Sequence, residues 1–503
     1  MLRLNRFKYQ SSRFRNQSSR FRNQSAVGFT CLLMILGSYF FGNRTSVANH
    51  GNEFPLTTSA TTPATSIPFV RKKPDFGGEA CLTMVLQNKG LPIDQDWVFD
   101  HSGVDPVLGR GCVTPELAQV AQAVGLKIGQ VWYDGNTEAA IRQCWKSLLR
   151  DVVNQTPIVV VTHDSQNIER FVLVLGYDAQ QDRLIFHNPN IDGGQSQTMD
   201  RVSFINRSLL VSKNQQGQLV QQIVALRTAG DISNNRLPAP TNQKYTDADY
   251  AQHIRGLKDR LPNDEFKIVL QKPFVVVGDG GIENVKRTAT GTVQWAVEKI
   301  KQDFFNKDPR FILDIWLFKD ATSYKKHNVK LFGDVPSTPY GFYSPSDRAL
   351  VMDISTGGGT LVHEIVHPFM ETNFGRCPSW FNEGLASLYE QSSTRDGHII
   401  GLTNWRLRGL QGTITANRLP SFETLCGTTT REFYNNAGTN YAQARYLCYY
   451  LQERGLLIDY YHAFRKNSVN DPGGYKTLKQ ILKRNDIDVF QKEWEQYVMK
   501  LRF

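Results

Sequence analysis

Short runs of consecutive apolar residues alternate along this chain with longer stretches in which apolar residues recur every three or four positions. The runs at 158–161, 171–175 and 184–186 are fenced by polar or turn-forming residues and have the length of strands. The stretches 80–87, 115–124 and 138–153 carry the helical period. Further on, 274–277, 312–318 and 349–352 repeat the strand pattern around a helical stretch at 291–305, and helical patterns dominate from there to the C-terminus. The expected fold class is α+β in two domains. A mixed unit occupies 67–227, and a unit at 245–503 opens with a small sheet and continues in helices. The polar, Pro-containing stretch 228–244 reads as the linker between them.

The first 66 residues do not fit this pattern. Residues 1–48 hold eight Lys or Arg and no acidic residue, and the heptapeptide SSRFRNQ occurs twice, at 11–17 and 18–24. A seventeen-residue apolar run follows at 26–42, then Ser46-Val47-Ala48, small residues of the kind a signal peptidase reads. Cleavage after Ala48 and retention as a signal anchor are both open readings, and each places the remainder outside the cytoplasm: periplasmic, extracellular or membrane-anchored facing outward. Contact with a membrane is expected only through this segment if it is uncleaved. Residues 49–66, rich in Ser, Thr and Pro, have nothing to bury and read as a linker.

Charge changes meaning once the leader is set aside. The 503-residue chain has a net charge of +11, of which eight charges lie in residues 1–48, leaving +3. No folded basic surface is implied, so a nucleic-acid partner is not expected. Cys31 lies in the leader, and Cys81, Cys112, Cys144, Cys377, Cys426 and Cys448 are an even set that an oxidising compartment would allow to pair, without the sequence choosing how.

The strongest chemical signal is LVHEIVH at 361–367. Two histidines four apart share one helix face, so both imidazoles can meet one ion, and Glu364 between them is placed to take a proton from water. Gly357-Gly358-Gly359 breaks the preceding segment and offers Thr360 as the helix cap. A second helix is expected from a cap at Ser379, with Trp380, Phe381, Leu385 and Leu388 as its apolar residues. It carries Glu383, fifteen residues beyond His367, near enough for the loop to fold the carboxylate back. His363, His367 and Glu383 with an open fourth position form the ligand set of catalytic Zn2+, whereas structural sites are closed, usually by Cys. Pro368 follows the second histidine directly and predicts that the helix ends or kinks there.

HExxH followed by Trp380-x-x-Glu383-Gly384-Leu385-Ala386 resembles the gluzincin metallopeptidases, over roughly 267–503. The resemblance implies a zincin domain in which a strand lying antiparallel to bound peptide precedes the metal helix, with 340–352 as the candidate. It also implies a later Tyr or His that stabilises the oxyanion. Tyr441 is the candidate for that catalytic role, with packing at a helix start as the alternative.

The first domain carries a different likeness. DFGGEACLTMVL at 75–86, RFVLVLGYD at 170–178 and HNP at 187–189 resemble the papain-like cysteine peptidases that cleave bacteriocin leaders. The positions corresponding to nucleophile, base and acid then fall on Phe76 or Gly77, Arg170 and Asn188. A thiolate needs an imidazole to activate it, and a guanidinium cannot accept its proton, so this domain reads as a degenerate module for binding peptide or a partner. In that role it would present peptide to the metal domain. The alternatives are a cysteine peptidase using Cys81 with His163 or His187, and a non-enzymatic envelope peptide-binding protein. The leading expectation is an exported zinc metallopeptidase acting on a peptide or protein substrate.

Overall fold

A computed structural model describes residues 67–214, 216–232, 244–336 and 338–503. The leader 1–48, the linker 49–66 and most of the stretch 228–244 lie outside them. Among the described residues no helix is long and apolar enough to cross a membrane, and all six cysteines there are unpaired.

The apolar runs of the first half form an eight-stranded antiparallel sheet: β1 (Lys127–Ile128), β2 (Trp132–Asp134), β3 (Ile158–His163), β4 (Glu169–Asp178), β5 (Arg183–His187), β6 (Gln197–Asp200), β7 (Leu209–Lys213) and β8 (Leu219–Ala229). Its order is β1-β8-β3-β4-β5-β6, with β2 and β7 also pairing to β8. Helix α1 (Gly77–Asn88) packs on one face in a core that includes Cys81, Leu82, Val85, Leu117, Val159 and Leu173. Helix Glu138–Val153 covers the other through Trp145, Leu148 and Leu149. The expected linker start at residue 228 is corrected: β8 runs to Ala229, with buried Thr228 paired to Ile128.

The second sheet has the order β12-β13-β11-β10-β9, from β9 (Lys267–Gln271), β10 (Phe274–Gly278), β11 (Leu313–Phe318), β12 (Gly341–Ser344) and β13 (Ala349–Asp353). Its three central strands are parallel and both edges antiparallel. Parallel strands buried on both faces need apolar residues at every position, which is why 274–277 reads as an unbroken run. Phe274, Val276, Ile315 and Met352 face the helical core, while Val275, Val277, Trp316 and Val351 face the opposite side. That opposite side is covered by α2 (Asp247–Lys258), which contributes Tyr250, Ile254 and Leu257. The same helix sends Ala248 and Ala251 into the core of the first sheet. Its Arg255 pairs with Asp75, Gln252 donates to the Pro74 carbonyl at 2.9 Å, and Asp100 accepts the Ala248 N–H at 2.7 Å. One helix thus belongs to two cores and ties the sheets together.

Three local expectations are corrected. The HExxH helix α3 (Gly359–Asn373) neither starts on a Thr360 cap nor ends at Pro368. Thr360 is already inside the helix, which begins after Gly358. Pro368 removes one N–H that would reach the Glu364 carbonyl, yet burial of Phe369 and Met370 in the core carries the helix on for another turn. Likewise α4 (Ser379–Leu388) is preceded by Pro378 at the cap position, and the Ser379 hydroxyl instead donates to Thr430 Oγ1 at 3.0 Å. The helix expected at 291–305 is the end of a longer unit, in which helix Ile282–Thr288 passes through a π-helical turn, Ala289–Gln294, into helix Trp295–Asp303. Such turns accommodate an extra residue and are frequent at functional sites.

Candidate functional site

A cleft of about 1530 Å³ opens between edge strand β12, the π-helical turn and helices α3 and α4. His363, Glu364, His367, Glu383 and Tyr441 all line it. The helical period brings His363 and His367 to one face, with ring centroids 4.9 Å apart. Helix α4 is buried through Trp380, Phe381 and Leu385, and Glu383, itself buried, projects from it towards the two histidines. Glu383 Oε2 lies 3.3 Å from His363 Nε2 and 3.8 Å from His367 Nε2, and Glu364 Oε2 lies 3.9 Å from His367 Nε2. Ligand atoms of His363, Glu364 and His367 fall within 4.8 Å of one another.

These residues fit a zinc ion. Tetrahedral ligands held about 2.0–2.1 Å from zinc are about 3.3 Å from each other, the spacing of His363 Nε2 and Glu383 Oε2. Glu383 Oε2 is also buried without a hydrogen-bond partner, a costly state for a carboxylate unless a cation shares the space. Burial alone would push the Glu383 carboxyl up, but His367 and His363 outweigh it and hold it at about 2. In the same way burial opposes charge on His363, while Glu383, Glu390 and Glu364 raise it well above the usual imidazole range.

Three partners of these residues were not visible in the sequence. His367 Nδ1 is 3.2 Å from Asn382 Oδ1, on the residue immediately before Glu383. His363 Nδ1 is 3.4 Å from Glu390 Oε1, an ion-pair distance longer than a good hydrogen bond. Glu390 in turn accepts from Arg406 through both oxygens, at 2.8 and 3.0 Å, and from Asn404 Nδ2 at 3.1 Å. Despite burial, His363 and Arg406 keep its carboxyl at about 2. Carboxylates or amides on the far nitrogens of metal-binding histidines set ring orientation and tautomer. The third partner is Tyr434, whose hydroxyl donates to Glu383 Oε1 at 2.5 Å. Tyr434 and Tyr441 stand together, with rings 6.1 Å apart. Burial and the Glu383 charge raise both phenols far above their ordinary value, so both remain donors. Tyr441 lies one turn inside helix α5 (Ala437–Glu453).

In the first sheet the three degenerate positions also converge. A Cβ on Gly77, the first residue of α1, would lie 3.5 Å from Asn190 Oδ1. Asn190 Nδ2 donates to Asn188 Oδ1 at 2.8 Å, and Asn188 shares a cavity of about 180 Å³ with Arg170, His163 and Asp164. Arg170 Nε donates to Asp164 Oδ2 at 3.1 Å. Cys81 lies apart from this cavity's lining, fully buried in the apolar core, and burial pushes its thiol well above the ordinary range. His187 Nδ1 accepts the Ser196 N–H at 3.0 Å, so its Nε2 carries the proton and donates to the Ile67 carbonyl at 3.1 Å.

Residues 65–216 match the Peptidase_C39 like family. The match supports the likeness to bacteriocin-processing peptidases in this part of the chain and ends well before the HExxH helix. The matched family is of cysteine-type peptidases, and the likeness points to a peptidase-like or peptide-binding domain in this part of the chain. Among solved structures, the peptidase domain of Streptococcus ComA, a bi-functional ABC transporter involved in a quorum-sensing pathway, aligns with 14% identity over 31% of this chain and 96% of that one, at a TM-score of 0.23. No curated protein matches the chain.

Proposed function

We propose that the chain is an exported zinc-dependent peptidase in which the C39-like module binds peptide or a partner without cleaving it. The observation that carries this reading is the convergence of His363 Nε2, His367 Nε2 and Glu383 Oε2 on the floor of a cleft bordered by β12, an edge strand with one side unpaired. His363, His367 and Glu383 would hold zinc, which supplies Lewis-acid polarisation of the scissile carbonyl and of water. Glu364, 8% exposed on the cleft floor, accepts the proton from the attacking water and returns it to the leaving amine. Tyr441 and Tyr434, both protonated, offer hydroxyls to the oxygen on which negative charge develops. The free edge of β12 offers backbone groups to an extended peptide, the usual way a sheet edge takes up an extra strand. Export rests on the basic, acid-free leader and its apolar run.

Elemental analysis of the purified protein, with Glu364→Gln and His363→Ala variants assayed on a mixed peptide library, tests the reading. Zinc near one equivalent, retained by Glu364→Gln and lost by His363→Ala, with cleavage absent from both, is the expected result. Metal-replete protein without zinc and without chelator-sensitive cleavage would refute it in favour of a non-enzymatic peptide-binding protein. The family match favours one other reading, a cysteine peptidase using Cys81. Labelling by a thiol-directed peptidase probe that Cys81→Ala abolishes would support that reading; the buried thiol argues for no labelling.

A further inference from the structure

The cleft wall carries a carboxylate that the proposed reaction leaves unused. Glu371 lines the cleft and is exposed to it. It follows His367 on α3 by four residues, as His367 follows His363, so the three side chains occupy one stripe of the helix at steps of about 6 Å. From the edge strand β12, Tyr343 donates its hydroxyl to Glu371 Oε2 at 3.1 Å. Burial and the Glu371 charge raise the Tyr343 phenol, which keeps it a donor. The carboxylate is therefore held against the strand along which substrate backbone would lie.

The other charged groups of the cleft are already engaged. Arg406 is matched to Glu390 through two bonds, and Glu383 is directed at the two histidines. Among the described residues no Lys, Arg or His lies within ion-pair distance of Glu371. A negative charge is thus presented to the cleft with a hydroxyl as its partner and one face open.

We infer that Glu371, positioned by Tyr343, is a specificity-determining residue that receives a cationic group of the bound peptide, either a Lys or Arg side chain or the free α-amino group. This rests on the peptidase reading above. The step of about 6 Å from His367 corresponds to one or two residues of extended chain at about 3.3 Å each, so the cation belongs close to the bond that is cut.

The test uses the full chain carrying Glu364→Gln, loaded with zinc and titrated by fluorescence anisotropy. The probes are a peptide series with Lys, norleucine or Glu at one position at a time, each with a free or an acetylated N-terminus. At one position Lys should bind about fivefold more tightly than norleucine, the advantage of a partly exposed ion pair. That ratio should fall to near one on adding Glu371→Gln and favour Glu peptides on adding Glu371→Lys. Where the site takes the α-amino group instead, the free-amine peptides should outbind their acetylated counterparts by the same factor, and that ratio should fall to near one on adding Glu371→Gln; either dependence supports the inference. Side-chain and N-terminal ratios that neither Glu371 substitution moves overturn it. With Glu364 intact, charge-selective binding without cleavage would sink the peptidase reading and leave the subsite standing. Cleavage without Glu371-dependent charge selectivity would do the reverse.

Discussion

Glu390 is the residue whose loss separates a built metal centre from a chance meeting of acids and imidazoles. Substitution to Gln keeps the shape but removes the charge that faces His363 Nδ1 at 3.4 Å and receives the Arg406 fork. Loss of such a partner typically lowers metal affinity 10- to 100-fold, or about 1.4–2.7 kcal/mol. The contact to His363 is long, so the lower end, about tenfold, is expected. A second effect must be kept apart from the first. The Glu390 and Arg406 side chains are only 16% and 15% exposed, and a guanidinium that loses a charged partner there costs about 1–3 kcal/mol of fold stability. Pairing Glu390→Gln with Arg406→Met removes the stranded cation and should recover much of that stability while leaving zinc binding weak. Competition with a chromophoric chelator gives the affinity, and thermal melts of the metal-free proteins give the stability. Zinc affinity within twofold of wild type in a folded Glu390→Gln protein would refute a role for Glu390 in orienting His363.

Further outcomes follow from neighbouring features. If the two phenols divide labour, with Tyr441 meeting the oxyanion and Tyr434 holding Glu383, then Tyr441→Phe should lower kcat by about 10²–10³ with zinc retained. Tyr434→Phe should instead weaken zinc binding, and the reverse pattern would exchange the roles. Gly359→Ala would place a Cβ 2.1 Å from the Glu390 carbonyl oxygen, so it should destabilise by about 1–3 kcal/mol and loosen zinc; an unchanged melt would show that the helix start can shift. Glu79 is fully buried, and burial raises its carboxyl from 4.5 to about 7. The folded state keeps the proton to higher pH than the unfolded chain, so this contribution is fully present below about pH 4.5 and lost as pH rises through about 7, by about 3 kcal/mol. Glu79→Gln should flatten urea stability across that window, and an unaltered pH slope would refute the assignment.

The convergence of His363, His367 and Glu383 was legible because each rests on local rules. Two histidines four apart need only a helix to meet, and Glu383 lies on a helix marked by its own apolar stripe. Glu390 was not legible: α4 ends at Leu388, and what brings Glu390 to His363 is the approach of the α3 start to its backbone, a tertiary contact that leaves no periodic trace. The local rules failed where burial overrode them, as at Pro368, whose missing hydrogen bond is outweighed by the packing of Phe369 and Met370. Edge strands were missed for a related reason. The short β1 and β2 carry no apolar run, and in β9 the run is only Ile268–Leu270, half-buried between polar ends. The positions Phe76 or Gly77, Arg170 and Asn188 were read from likeness alone; the fold puts Arg170 and Asn188 on one small cavity, Gly77 beside its Asn190 wall and Phe76 in the apolar core.

Where the module sits changes what it can do for the cleft. Its contacts with the second sheet run through α2 and through the turn Pro106–Leu108, which lies against β9. The cleft opens at β12, the opposite edge of that five-stranded sheet. Four strand spacings of about 4.8 Å put the two edges roughly 19 Å apart, a span that takes about six residues of extended chain at about 3.3 Å each. If the module presents peptide to the cleft, as expected, a peptide that reaches both from the β9 side of the sheet and the β12 side must span at least this distance. On that reading the module anchors a part of the substrate well removed from the cut. Arg170→Glu should then leave kcat/KM for peptides shorter than about six residues unchanged and raise KM for long substrates alone; an equal effect on short and long peptides would show that the module acts on the cleft itself.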